Sequence, residues 1–118
     1  MLHNLVIGGS YKDKLFEITA TLAVPANHGN YDDVILFEVS ISSTNTVKPQ
    51  LSDYKFYIMT GRKRIFNTAD VVELFSKDNS TVTALVSFDS RAMFLYSDIQ
   101  LGFFYEPYSH IEFFKIEH

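Results

Sequence analysis

Phe16-Glu17-Ile18-Thr19-Ala20-Thr21-Leu22-Ala23-Val24 alternates in character residue by residue. Phe16, Ile18, Ala20, Leu22 and Val24 share one parity, while Glu17, Thr19, Thr21 and Ala23 share the other. A helix gathers residues three and four apart, so it would smear this pattern around its circumference. A pleated strand sends successive side chains to opposite faces and sorts it cleanly. The β-branched Ile and Thr suit the extended backbone as well. The stretch predicts a strand with one face in a core and one in water.

The same period recurs on both sides. In 34–42, Ile35, Phe37, Val39 and Ile41 alternate with Glu38, Ser40 and Ser42, and the Pro, Gly, Asn and Asp of 25–33 mark a loop before them. Tyr54, Phe56 and Ile58 alternate with Lys55, Tyr57 and Met59. The run breaks at Thr60-Gly61-Arg62-Lys63 and resumes at Ile65 and Phe66, which reads as a hairpin. After a turn at Lys77-Asp78-Asn79-Ser80, Val82, Ala84, Val86 and Phe88 alternate with Thr81, Thr83, Leu85 and Ser87. Ile99 to Tyr105 and His110 to Ile116 close the chain around Glu106-Pro107-Tyr108-Ser109, and Leu2 to Ile7 gives an edge strand ended by a turn at Gly8-Gly9-Ser10. One segment departs: across Thr68 to Phe75, Val71, Leu74 and Phe75 have helical spacing with Asn67 or Thr68 as a cap, which predicts a short helix or turn.

Seven or eight short strands in a chain of 118 residues fit one hydrophobic core and one domain spanning 1–118. The fold class is therefore all-β: an antiparallel, immunoglobulin-like β-sandwich, with one short helix at most. A parallel α/β fold would need helices of about ten residues or more between strands. The chain has no Cys, which rules out disulfide frameworks, thiol nucleophiles and the Cys-Trp-Cys core of the immunoglobulin superfamily proper. A formal charge of -4 speaks against a duplex-binding surface, so nucleic acid is not an expected partner. No apolar run approaches the roughly 20 residues of a membrane span.

Catalytic motifs are missing from the sequence. There is no Gly-x-Ser-x-Gly, no Ser-x-x-Lys and no phosphate-cradling glycine loop. His3, His28, His110 and His118 have no paired spacing for zinc, and Asn30, Asp32 and Asp33 offer calcium-type oxygens without the Asp-x-Asp-x-Asp-Gly run. No cofactor and no metal site is expected. Glu17 and Glu38 are carboxylates for an outward face, and Asn79-Ser80-Thr81 matches a glycosylation acceptor. Arg62, Lys63 and Arg64 form a basic hairpin tip suited to an anion or an acidic partner.

From Phe37 to Phe88 the order is Phe37-Glu38-Val39-Ser40-Ile41-Ser42, then Leu51-Ser52-Asp53-Tyr54-Lys55-Phe56-Tyr57-Ile58 with a hairpin through Gly61, then Thr83-Ala84-Leu85-Val86-Ser87-Phe88-Asp89. Over about half the chain this resembles the immunoglobulin-like domain of unknown function found in Gram-positive lipoproteins and surface proteins. The resemblance implies a bacterial, extracytoplasmic binding or structural role, with signal or anchor removed, and no activity. The lack of Cys is equally at home in a cytoplasm, so the compartment stays open.

In the C-terminal third, Phe103-Phe104 and Phe113-Phe114 are neighbours in strands, so one ring of each pair must leave the core. Phe104 and Phe114, with Ile99 and Ile116 beside them, are the expected apolar interface for self-association or a protein partner. The expected function is a non-catalytic binding or protein-interaction module. The alternative is a small-ligand or carbohydrate module, or an enzyme accessory domain, stacking on tyrosine. Against that alternative, Tyr54, Tyr57, Tyr96, Tyr105 and Tyr108 are spread over different strands and parities.

Overall fold

The computed structural model describes residues 8–23, 34–45, 48–61, 63–68, 70–75, 79–89 and 98–117. Among them are nine strands: β1 Gly8–Lys12, β2 Phe16–Ala23, β3 Val34–Ser43, β4 Tyr54–Thr60, β5 Ile65–Asn67, β6 Asp70–Leu74, β7 Thr81–Asp89, β8 Ile99–Tyr105 and β9 Ile111–Lys115. Single 3₁₀ turns at Leu51–Asp53 and Glu106–Tyr108 lead into β4 and out of β8. Sheet A has the order β1-β2-β3-β7-β6 and sheet B the order β5-β4-β8-β9, with every pair antiparallel.

The period-two residues are what hold the sheets together. Phe16, Ile18 and Ala20 from β2, Phe37, Val39 and Ile41 from β3, and Val82, Ala84, Val86 and Phe88 from β7 all lie in the core. Sheet B answers with Tyr54, Phe56 and Ile58 from β4, and with Ile99, Leu101 and Phe103 from β8. Phe37, Phe56, Phe88 and Phe103 are all but fully enclosed. Burying one such ring contributes roughly 1.5–3 kcal/mol, which is why a chain of this size holds together without a staple.

Three expectations are corrected. Thr68 to Phe75 is not helical: Asp70 to Leu74 pairs with β7 in the register Asp70↔Ser87 to Leu74↔Thr83. An eight-residue helix would be marginal by itself, whereas the extended form gains a backbone ladder and still lays Val71 on the core. That exchange raises the strand count above seven or eight. Gly8-Gly9-Ser10 is not a turn but the start of β1. A Cβ on Gly9 would lie 2.0 Å from the Lys115 carbonyl oxygen, so glycine is what allows β1 to approach β9. Gly8 and Glu117 then exchange two backbone hydrogen bonds of 2.8 Å, joining the two sheets along this edge. The predicted edge strand Leu2 to Ile7 and the loop 25–33 lie outside the described residues.

Candidate protein interface

The outer faces of the two sheets differ in chemistry. On sheet A, β2 presents Glu17, Thr19 and Thr21, β3 presents Leu36, Glu38, Ser40 and Ser42, β7 presents Thr81, Thr83, Leu85 and Ser87, and β6 presents Asp70, Val72 and Leu74, with Ser40 to Thr83 and Ser42 to Thr81 hydroxyl pairs at 3.1 and 3.0 Å. Its described outward positions are mostly polar, with aliphatic side chains toward the β6 edge and no aromatic ring. Glu17 and Glu38 do not face each other, because Glu17 is opposite Ser42 and Glu38 opposite Thr21. Four residues of register, about 13 Å, separate them.

Sheet B is different. Its outward parity reads Ile65, Met59, Gln100, Lys115 in one row across the strands, then Asn67, Tyr57, Gly102, Phe113, then Lys55, Phe104, Ile111. Ile65 and Met59 at one corner, Tyr57 and Phe113 in the middle, and Phe104 and Ile111 at the opposite corner make an apolar band running diagonally over the sheet. Ile65 is 50% exposed and the other five are partly exposed. Gly102 shapes the middle of this band. A Cβ there would come 2.5 Å from the Phe113 ring, so the absent side chain is the slot in which that ring lies.

This placement sorts the four residues expected at the interface. Phe104 is on the outer face. Ile99, Phe114 and Ile116 belong to the core, at 7%, 7% and 8% exposure. Register decides it, because Phe114 is opposite the inward Leu101, and Ile116 donates its N–H to the Ile99 carbonyl. The outward ring of its pair is Phe113. The signal that finds it in the sequence is Gly102: a glycine inside a strand leaves room for a large ring on the neighbouring strand.

Of the basic tip, Lys63 and Arg64 are exposed at the β4–β5 turn and Arg62 lies outside the described residues. The turn is closed by Lys63 N–H to Thr60 O at 2.8 Å and Thr60 N–H to Arg64 O at 3.0 Å. Lys63 has φ 61°, a left-handed position that favours glycine. Below this turn Thr60 is buried, and its Oγ1 has no hydrogen-bond partner among the described residues.

At the other end of the sandwich the tyrosines that look scattered in the sequence converge. Tyr54 and Tyr105 stack at 4.9 Å between centroids, and Phe16 meets Tyr54, Tyr105, Tyr108 and Phe103 within 5.7 Å. Asp13 is the hub. Its Oδ1 accepts the Leu15 and Phe16 N–H groups at 2.8 and 3.1 Å, and its Oδ2 accepts the hydroxyls of Tyr11 at 3.0 Å and Tyr108 at 2.5 Å. Burial raises the Asp13 pKa, but the hydrogen bonds from Tyr108, Leu15, Phe16 and Tyr11 outweigh it and hold the carboxyl below its ordinary range. Burial and the adjacent Asp13 push the Tyr11 hydroxyl up to about 12 and raise Tyr108 as well. The hub joins the β1–β2 turn to the β8–β9 turn. A depression of about 350 Å³ beside it is walled by Leu15, Lys48, Asp53 and the half-buried Tyr105, with Phe16 and Tyr54 beneath at only 3% and 8% exposure.

His110 Nε2 meets Glu112 Oε1 at 2.6 Å and its Nδ1 meets the Tyr108 carbonyl at 2.7 Å. Both nitrogens face acceptors, so the Glu112 and Tyr108 contacts raise the His110 pKa. Among the described residues no cluster of three or more His, Asp or Glu is placed to hold a metal, and no helix is long and apolar enough to cross a membrane. His3, His28, His118, Asn30, Asp32, Asp33 and Tyr96 lie outside the described residues.

With β1 set aside, the order β2-β3-β7-β6 over β5-β4-β8-β9 is the A-B-E-D over C′-C-F-G arrangement, so the protein is an immunoglobulin-like sandwich carrying one additional N-terminal strand. Val39 and Ile41 on the B-type strand and Leu101 and Phe103 on the F-type strand fill the core where the superfamily proper has its disulfide. Among solved structures the chain is similar to a human pre-T cell receptor crystal structure, with a TM-score of 0.48 and 10% identity over 88% of this chain and 96% of that one. No family model and no curated protein matches the chain.

Proposed function

We propose that the chain is a non-catalytic protein-interaction module that docks its partner on the outer face of sheet B. The observation that supports this reading is the contrast between the two sheets. Sheet A presents hydroxyls and carboxylates with Leu36, Leu85, Val72 and Leu74 toward its β6 edge and no aromatic ring among its described outward positions, whereas sheet B presents Ile65, Met59, Tyr57, Phe113, Phe104 and Ile111 as a continuous band with three rings. Scattered apolar side chains on a surface need no explanation, but a contiguous band on one face marks a site of association. The band is rich in aromatic rings and Met, the side chains enriched in interface centres.

The test is a Phe104→Ser, Ile111→Ser double variant, immobilised beside the parent and exposed to extract of the native cell. A partner held by the parent and released by the variant, with denaturant stability within about 1 kcal/mol of the parent, is the expected result. Equal capture by both proteins, or a loss of roughly 3–5 kcal/mol as for a core truncation, overturns the reading.

A further inference from the structure

We infer that the partner for this face carries its own apolar band bordered by carboxylates, and that a second copy of the chain does not fit there. The inference rests on the docking reading above. Its grounds are the charges on the band. Lys55 stands on one side of the diagonal and Lys115 on the other; both are exposed, and neither has an ion-pair partner among the described residues. Lys63 and Arg64 add two more cations at the turn next to Ile65. The outward positions of β4, β5, β8 and β9 include no carboxylate, although the chain as a whole is acidic at -4. Glu17 and Glu38 are on sheet A and Asp70 and Glu73 on its edge strand, Glu112 of β9 has the inward parity opposite Phe103 and pairs with His110, and Asp98 and Glu117, just beyond the strand ends, line a depression with Lys63 and Lys115.

Symmetry turns this placement into selectivity. A closed pair of identical faces is related by a two-fold axis lying in the plane of contact. With the axis along the apolar band, Lys55 of one copy falls over Lys115 of the other. With the axis across the band, each lysine falls over its own counterpart. Both arrangements that stack band on band set ammonium against ammonium. Like charges juxtaposed in an interface act against the wrong partner, whereas carboxylates flanking a complementary band would pair with the same lysines.

A charge-reversed copy supplies a surface of that chemistry. The Lys55→Glu, Lys115→Glu variant keeps the band and replaces its border, and both aligned two-fold arrangements then place lysine over glutamate. Mass is measured by light scattering for the parent, for the variant and for their equimolar mixture at low and high salt. The expected result is a monomeric parent and a mixture that forms a one-to-one complex, with affinity falling about ten-fold or more as salt rises and screening sets in. The complex should be lost when the parent also carries Phe104→Ser and Ile111→Ser. A parent that dimerises by itself, with the dimer broken by those two serines and unaffected by salt, overturns the inference while leaving the docking face intact. A mixture that stays monomeric overturns it too. A complex that survives the serine substitutions sinks the docking reading itself.

Discussion

Replacing Asp13 with Ala removes the acceptor of four hydrogen bonds at once. Two are the hydroxyls of Tyr11 and Tyr108, and two are the backbone N–H groups of Leu15 and Phe16. A hydrogen bond to a charged group contributes about 1.5–3 kcal/mol when shielded. This site is only partly buried, so each tyrosine bond is nearer 1 kcal/mol and each backbone bond, which water replaces readily, about 0.5. The expected loss is about 3 kcal/mol, or on the order of 10 °C in Tm for a domain of this size. Asp13→Asn keeps a neutral acceptor in the same shape and should lose about half of that. Because the Asp13 pKa is lowered on folding, its contribution is present above the ordinary value of 3.8 and is lost as pH falls through the folded value. Urea melts at pH 6 and pH 3 should therefore show a large gap between parent and Asp13→Ala at pH 6 that narrows at pH 3. A gap under about 0.5 kcal/mol at pH 6, or one that widens on acidification, would refute the hub.

Two further changes act at the β4–β5 turn. Lys63→Gly removes a side chain from a left-handed position and should raise stability by about 0.5–1 kcal/mol in a denaturant melt; a loss would mean that the lysine stem packs against the turn. Thr60→Val keeps the shape and deletes a buried hydroxyl that has no partner among the described residues, so a gain of about 1 kcal/mol is expected, and destabilisation would show that Oγ1 is bonded.

Most of the sandwich is legible in the sequence, because strands buried on one face write their period directly into it. β2, β3, β4 and β7 show this. β6 was not legible as a strand. It is an edge strand that places only Val71 on the core, so its apolar residues obey no strict alternation and Val71, Leu74 and Phe75 mimic a helix. The outer face of sheet B was half legible. Adjacent phenylalanines imply that one ring of each pair points outward, but which ring does so is fixed by inter-strand register, a non-local property. Phe114 and Ile116 went to the core because Leu101 and Ile99 are their opposite numbers. The Asp13 hub leaves no local trace, since Asp13 and Tyr108 are 95 residues apart.

The account turns on which surface a partner covers, and hydroxyl-radical footprinting of the chain, free and bound to the partner captured by the parent, measures that directly. Met59, Tyr57, Phe104 and Phe113 should be oxidised in the free chain and protected in the complex, while Val72 on the outer face of sheet A and Phe75 beside it stay as reactive as before. Protection of Val72 or Phe75 with the sheet B rings unchanged would contradict the account and move the interface to another part of the sandwich.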